Sequence, residues 1–221
     1  MSIKDELQNI ISGNGEVRHG KIIQSISNYL RRKKKANSRI EKEKLLKKQE
    51  ASFLIDFAEE NQFFFEDFYE SQFLGEGAEQ RVYQFDNTDF VVKLNDCIFY
   101  ENWSDYFNSL LLHNYFFPHL AYEMIGFALF EERLHAAVKQ PFIKSNELTD
   151  LRNVKQFLEA NGFENSRNND YYNPEMGIII EDLHDENVLT KEGTLQFIDT
   201  VFYLTPQFYN KDPLQVSTFR K

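Results

Sequence analysis

Gly177-Ile178-Ile179-Ile180-Glu181-Asp182-Leu183-His184-Asp185-Glu186-Asn187-Val188-Leu189-Thr190-Lys191-Glu192-Gly193-Thr194-Leu195-Gln196-Phe197-Ile198-Asp199-Thr200 is the stretch from which the rest of the chain is read. It predicts an apolar strand, a polar and acidic loop, then two short strands joined at Lys191-Glu192-Gly193-Thr194, where Gly193 takes the positive φ of a hairpin turn. Folding back at that turn returns Asp199 beside Asn187 and close to Asp182. Three oxygen-bearing side chains then meet at the end of buried strands. That donor set suits a hard cation and a phosphate better than a metal that prefers thiolate or imidazole.

The chain has 221 residues, 42% of them hydrophobic, enough for one large or two small domains with a real core. Phe (22) and Tyr (11) are abundant, so the core is expected to be largely aromatic. A formal net charge of −10 opposes non-specific attraction to nucleic acid or an anionic membrane. The charge is uneven: Arg31 to Lys48 holds ten basic and two acidic residues, net +8, leaving −18 elsewhere. The block reads as a solvated helix face, with a contact to nucleic acid or to an acidic surface, of a partner or of this same molecule, as the functional alternative. No aromatic residues interleave it, so base stacking is not indicated. Cys97 is the single cysteine, which excludes an internal disulfide and suits a reducing compartment. The N-terminus leads into an amphipathic run rather than an apolar signal, and no apolar segment approaches the roughly 20 residues that span a bilayer. The expectation is a soluble, cytoplasmic protein.

Toward the N-terminus, Glu6 to Ser12 and Lys21 to Arg32 place Leu7, Ile10, Ile11, Ile22, Ile23, Ile26 and Leu30 at helical spacing, broken by Gly13-Asn14-Gly15. A further helix is expected from about Arg39 into Ala58. Phe63, Phe64, Phe65, Phe68 and Tyr69 then form a packed connection, since so many exposed aromatics would promote association.

Strands and turns follow. Phe73 to Phe85 reads as strand, glycine turn, strand; Asp86-Asn87-Thr88-Asp89 turns the chain; Phe90-Val91-Val92-Lys93-Leu94 is a third strand. Gly75 and Gly77 let backbone N–H groups approach phosphate oxygens, and Lys93 is placed to neutralise them.

Gly75-x-Gly77-x-x-Gln80-x-Val82, Val91-Val92-Lys93, Asp182-x-x-x-x-Asn187 and Ile198-Asp199 occur in the order of the protein-kinase signature set. From about Phe73 to Leu204 the chain resembles the protein-kinase-like superfamily, and more narrowly the compact kinase domain of the polyvalent proteins of bacterial mobile elements. The resemblance implies an α+β, two-lobed fold: a helical N-terminal extension (1–70), a β-rich N-terminal lobe with one helix (71–143) and a shortened C-terminal lobe (144–221). It implies ATP and Mg2+ as cofactors, with Gly75 and Gly77 over the phosphates and Lys93 on the α and β phosphates. Asp182 would accept the proton of the attacking hydroxyl, and Asn187 and Asp199 would hold magnesium.

The departures are informative. Gln80 stands at the third glycine, Ile180 where protein kinases carry His, and Thr200-Val201 where they carry Phe-Gly. His184 is the residue that aminoglycoside- and choline-kinase-like enzymes place two positions after the catalytic Asp. It favours a small-molecule acceptor, or is simply a histidine hydrogen-bonded within its loop. Only 22 residues follow Asp199, which leads to an alternative: a nucleotide-binding pseudokinase acting as a regulatory or interaction module. The phosphate acceptor, protein or small molecule, is left open.

Asn102 to Phe116 predicts a helix capped by Asn102 or Ser104 and stopped before Pro118. In kinases the matching helix supplies an acid to the strand lysine, here Glu101 or Asp105. Tyr122 to Phe130 and Leu134 to Val138 are strands around Glu131-Glu132-Arg133. Lys139-Gln140-Pro141-Phe142-Ile143 occupies the place of the adenine-binding hinge, where Pro141 lacks an N–H and the donor must be Gln140 or Phe142. A helix from Glu147 to Ala160, with Leu148, Leu151, Phe157 and Leu158 inward, and a polar loop from Asn165 to Asn173 complete the reading. His19, His113, His119, His135 and His184 are scattered without zinc spacing.

Overall fold

The computed structural model describes residues 2–36, 43–67, 72–77, 80–84 and 89–210. Ala78, Glu79, Phe68, Tyr69, the start of the third helix at Arg39, the Asp86-Asn87-Thr88 turn and residues 211–221 lie outside them. The fold is α+β, with helices beside antiparallel sheets.

Three helices lead: α1 (Ile3–Ser12), α2 (Gly20–Ala36) and α3 (Glu43–Glu60). α1 starts three residues before the expected Glu6. Ser2 accepts from the Asp5 N–H while the Asp5 carboxylate accepts from the Ser2 N–H, a capping box that satisfies two terminal donors. Leu7, Ile10, Ile23, Ile26 and Leu30 are fully buried, whereas Ile22, expected inward, is exposed.

A five-stranded antiparallel sheet follows: β1 (Phe73–Glu76), β2 (Gln80–Gln84), β3 (Phe90–Asn95), β4 (Glu123–Phe130) and β5 (Arg133–Pro141), in the order β1-β2-β3-β5-β4. β4 and β5 turn through Glu131 (φ 50) and Glu132 (φ 61), the two positive-φ positions of a tight hairpin. The Phe-rich connection packs along β4, with the Phe65 N–H on Phe127 O at 2.7 Å and the Phe127 N–H on Phe63 O at 2.9 Å. Gly126 permits this approach, since a Cβ there would stand 3.0 Å from Phe63 O.

Helix α4 (Trp103–Phe116) lies between β3 and β4 in sequence and is capped by Asn102, whose side chain accepts from the Asp105 N–H. Trp103, Tyr106, Phe107, Leu110, Leu111 and Leu112 are all buried, so the helix is enclosed on nearly every side. One hydrophobic cluster runs from Leu7 through α4 to Phe208.

Beyond the sheet come α5 (Leu151–Ala160), a four-stranded antiparallel sheet and a separate hairpin. α5 begins four residues later than expected because Asp150 caps it, accepting from the Arg152 N–H. Val154 and Leu158 face inward, while Leu148, Leu151 and Phe157 are exposed. The stretch expected as a polar loop is instead a hairpin of β6 (Glu164–Arg167) and β7 (Asp170–Asn173). β7 pairs with β8 (Ile178–Glu181), and β8 with β11 (Val201–Leu204). β9 (Val188–Lys191) and β10 (Thr194–Phe197) form the hairpin through Glu192 and Gly193, φ 51 and 71, and a short helix, α6 (Pro206–Tyr209), follows.

Candidate active site

β8 ends at Glu181 and is followed by Asp182, whose φ of 64 is rare for a residue with a side chain. The Asp182 N–H is held by Asp170 Oδ1 at 3.1 Å. The loop then closes on itself: the Asn187 and Val188 N–H groups both donate to His184 O, at 3.0 and 2.9 Å. Asn187 Nδ2 donates to Asp182 O at 2.8 Å and to Asp182 Oδ2 at 2.9 Å. Both amide hydrogens of Asn187 are therefore spent on Asp182, which leaves its Oδ1 as the atom able to ligate a cation.

His184 joins this loop. The Glu186 N–H donates to Nδ1 at 3.3 Å, which assigns the ring proton to Nε2, 3.2 Å from Asp182 Oδ1. The neighbouring Asn187 Nδ2, 3.1 Å from Nε2, is then a close approach of two donors rather than a hydrogen bond.

The β9–β10 hairpin brings Asp199 back to this loop, with the Ile198 and Asp199 N–H groups on Asn187 O at 3.0 and 3.2 Å. Lys93, 4% exposed on β3, donates to Ile198 O at 2.8 Å and stands 3.7 Å from Asp199 Oδ2. Gln80 Nε2 donates to Asp199 Oδ2. Asp182, Asn187, Asp199, Gly77, Gln80 and His184 line a cavity of about 740 Å³, with Phe99 and Tyr203 on its wall. Glu181, also lining it, has its carboxyl raised above the ordinary value by burial and then by Asp170 and Asp182.

Asn187 Oδ1 and the Asp199 carboxylate are hard oxygen donors. Among the described residues, no group of three or more His, Cys, Asp or Glu side chains is placed to hold a metal ion. A pair of oxygen donors fits magnesium, which is commonly held by one or two carboxylates with water and phosphate completing the shell.

Gly75, Lys93, Gln140 and Phe142 are not among the residues lining this cavity. Gly75 pairs with Val82 in the sheet. The Gln140 amide is buried and donates to Leu120 O at 2.9 Å, and the Phe142 N–H donates to Asp89 O at 2.8 Å. Among the described residues the acid near Lys93 is Asp199, not Glu101 or Asp105. The Asp105 carboxylate instead accepts from Asn102 Nδ2 at 2.6 Å, and burial with the nearby Glu101 and Glu50 raises its pKa to about 6.

Several contacts were not read from the sequence. Tyr122 OH lies 3.0 Å from Ile198 O and 3.4 Å from Asp199 Oδ1. His113 Nδ1 lies 2.7 Å from Thr200 Oγ1. Ser109 accepts from the Phe202 N–H at 2.9 Å. The available signal was weak: Ser109, His113 and Asn114 sit among the apolar residues of the helix's second half. Part of the basic block is also committed internally: Lys34 to the fully buried Glu50 at 2.5 Å, and Lys47 to the carbonyls of Cys97, Ile98 and Tyr100.

Residues 47–206 match the family described as Kinase-PolyVal, Serine/Threonine/Tyrosine Kinase found in polyvalent proteins, and the chain belongs to that family. No curated protein and no solved structure matches the chain. Membership supports a kinase-like phosphotransferase. No helix among the described residues is long and apolar enough to cross a membrane.

Proposed function

We propose that the chain transfers the γ-phosphoryl group of ATP, carried as its magnesium complex, to a hydroxyl of a protein or small molecule. What supports this is one network running from Asp182 through Asn187 to Asp199 and Lys93. In this reading the five-stranded sheet with α4 is the N-terminal lobe (71–143) of a two-lobed kinase-like fold. Residues 144–221 belong to the C-terminal lobe, and 1–70 to an N-terminal extension.

Asp182 orients the attacking hydroxyl and accepts its proton. Its strained backbone and the Asn187 amide fix the carboxylate in advance, so little reorganisation accompanies reaction. Asn187 Oδ1 and the Asp199 carboxylate hold magnesium, which supplies charge neutralisation at the transferred group. Lys93 meets the nucleotide phosphates, with Gly75 at the end of β1 and Gly77 just after it covering them. Gln140 and Phe142 border an adenine slot, with the Gln140 side-chain amide and the Phe142 N–H already given to Leu120 and Asp89.

One contact favours the alternative of a nucleotide-binding regulatory module without transfer: the Gln80 amide occupies Oδ2, one of the two Asp199 carboxylate oxygens open to a cation. Labelled γ-ATP separates the two. The wild-type chain with Mg2+ moves label to an acceptor hydroxyl or to water. Asp182→Asn lowers that rate by about 10²–10⁴-fold while keeping nucleotide affinity within about threefold, as expected for a group acting only in the transition state. Equal loss of binding and transfer makes Asp182 structural. Binding without any transfer by the wild type supports the regulatory module.

A further inference from the structure

We infer that Tyr122 is a positioning residue for Asp199, held in place by Asn114, and that helix α4 sets the Asp199 segment through hydrogen bonds that its uncharged side chains share with it. The inference rests on the proposed role of Asp199 as a magnesium ligand.

The relay can be followed atom by atom. Asn114 is fully buried, and its amide grips both backbone groups of Tyr122: Nδ2 donates to Tyr122 O at 2.8 Å, and Oδ1 accepts from the Tyr122 N–H at 2.7 Å. The ring of Tyr122, 4% exposed, lies against His113 with centroids 4.4 Å apart. Its phenol carries one proton, and the nearer acceptor is Ile198 O at 3.0 Å, with Asp199 Oδ1 at 3.4 Å. Lys93 donates to the same carbonyl at 2.8 Å. A carbonyl has two lone pairs, so Tyr122 and Lys93 together saturate Ile198 O. The peptide between Ile198 and Asp199 is thereby gripped on its oxygen, while its N–H is held by Asn187 O at 3.2 Å.

The following residues are held by the same helix. Burial lowers the His113 pKa to about 3, so the ring is neutral and has one N–H. Leu120 O, 3.0 Å from Nε2, can only accept, which places the proton on Nε2 and leaves Nδ1 to accept from the Thr200 hydroxyl. Ser109 Oγ, one helical turn before His113, accepts from the Phe202 N–H. Three buried polar side chains of one helix therefore act on residues 198–202, directly or through Tyr122. Groups behind a metal ligand commonly govern its geometry, and losing one costs about 10–100-fold in metal affinity or activity.

Tyr122→Phe removes one oxygen and keeps the ring against His113 and beneath Lys93 Nζ, 5.5 Å from its centroid. The full chain is titrated calorimetrically with ADP in Mg2+ and in EDTA. The expected result is that the Mg2+-dependent gain in affinity falls about tenfold while affinity in EDTA changes by less than about twofold. Equal falls in both, or an unchanged Mg2+ gain, overturn the inference. A wild type that binds no ADP defeats the magnesium reading instead. The relay is then judged by hydrogen exchange of the nucleotide-free chain: Tyr122→Phe speeds exchange at residues 199–202 by about fivefold, and unchanged protection there overturns it.

Discussion

Lys34→Met tests whether the N-terminal helices hold α4 through a buried charge. The Glu50 side chain has no exposed surface, whereas that of Lys34 is 30% exposed, and the two meet at 2.5 Å. Glu50 also accepts from the Trp103 N–H at 2.7 Å and from Ser104 Oγ at 2.8 Å, so it serves the first turn of α4 alongside the Asn102 cap. Removing one partner of a buried pair typically costs about 3–5 kcal/mol, because a charge is stranded. Here two donors remain on the carboxylate, and the α4 N-terminus favours negative charge. The expected loss therefore falls to or just below the lower end of that range, about 2–3 kcal/mol. Glu50→Gln in the Lys34→Met background removes the stranded charge and recovers about half of that loss. Urea unfolding of the single and double variants measures both quantities. A loss below about 0.5 kcal/mol for Lys34→Met, or no recovery in the double variant, refutes the reasoning.

Two further outcomes follow from named groups. The Asp105 pKa is raised to about 6 by burial, then by Glu101 and Glu50. A carboxyl raised above its unfolded value favours folding most at low pH, and that contribution is lost as pH rises toward 6. Asp105→Asn therefore raises the urea midpoint at pH 7.5, with the gain vanishing near pH 4; an equal gain at both pH values contradicts the assignment. At Gly177 (φ +73), a Cβ would stand 2.5 Å from Phe208 N and 2.9 Å from Gln207 C. Both are backbone atoms, so Gly177→Ala costs at least about 2 kcal/mol in unfolding experiments, and a neutral effect would show that α6 shifts freely.

The stretch from Gly177 to Thr200 was legible because its apolar runs are short and sharply bounded and its turn needs positive φ at Gly193. The β6–β7 hairpin was not. Every residue of β6 is exposed, so the alternation that marks a half-buried strand is missing. The onset of α5 was misplaced because Leu148 looked like a core position, yet the cap is Asp150, and apolar spacing alone does not locate caps. Glu50 was hidden within a charged helix whose spacing gives no sign that one acid is enclosed. Tyr122 and His113 depend on contacts spanning about eighty residues, which a local pattern cannot carry. The basic block offered a solvated helix face or a contact with an acidic surface, this molecule's own included, and Lys34 and Lys47 take the internal course, binding this chain's own acid and carbonyls.

The central claim is that Asp199 and its neighbours form a cation-dependent nucleotide site. Calorimetric titration of the full chain with a non-hydrolysable ATP analogue, with and without Mg2+ and in Asp199→Asn, tests it most directly. The account predicts one nucleotide per chain, tighter binding with Mg2+, and loss of that Mg2+ dependence in Asp199→Asn. No binding, or binding indifferent to both Mg2+ and Asp199, would contradict it.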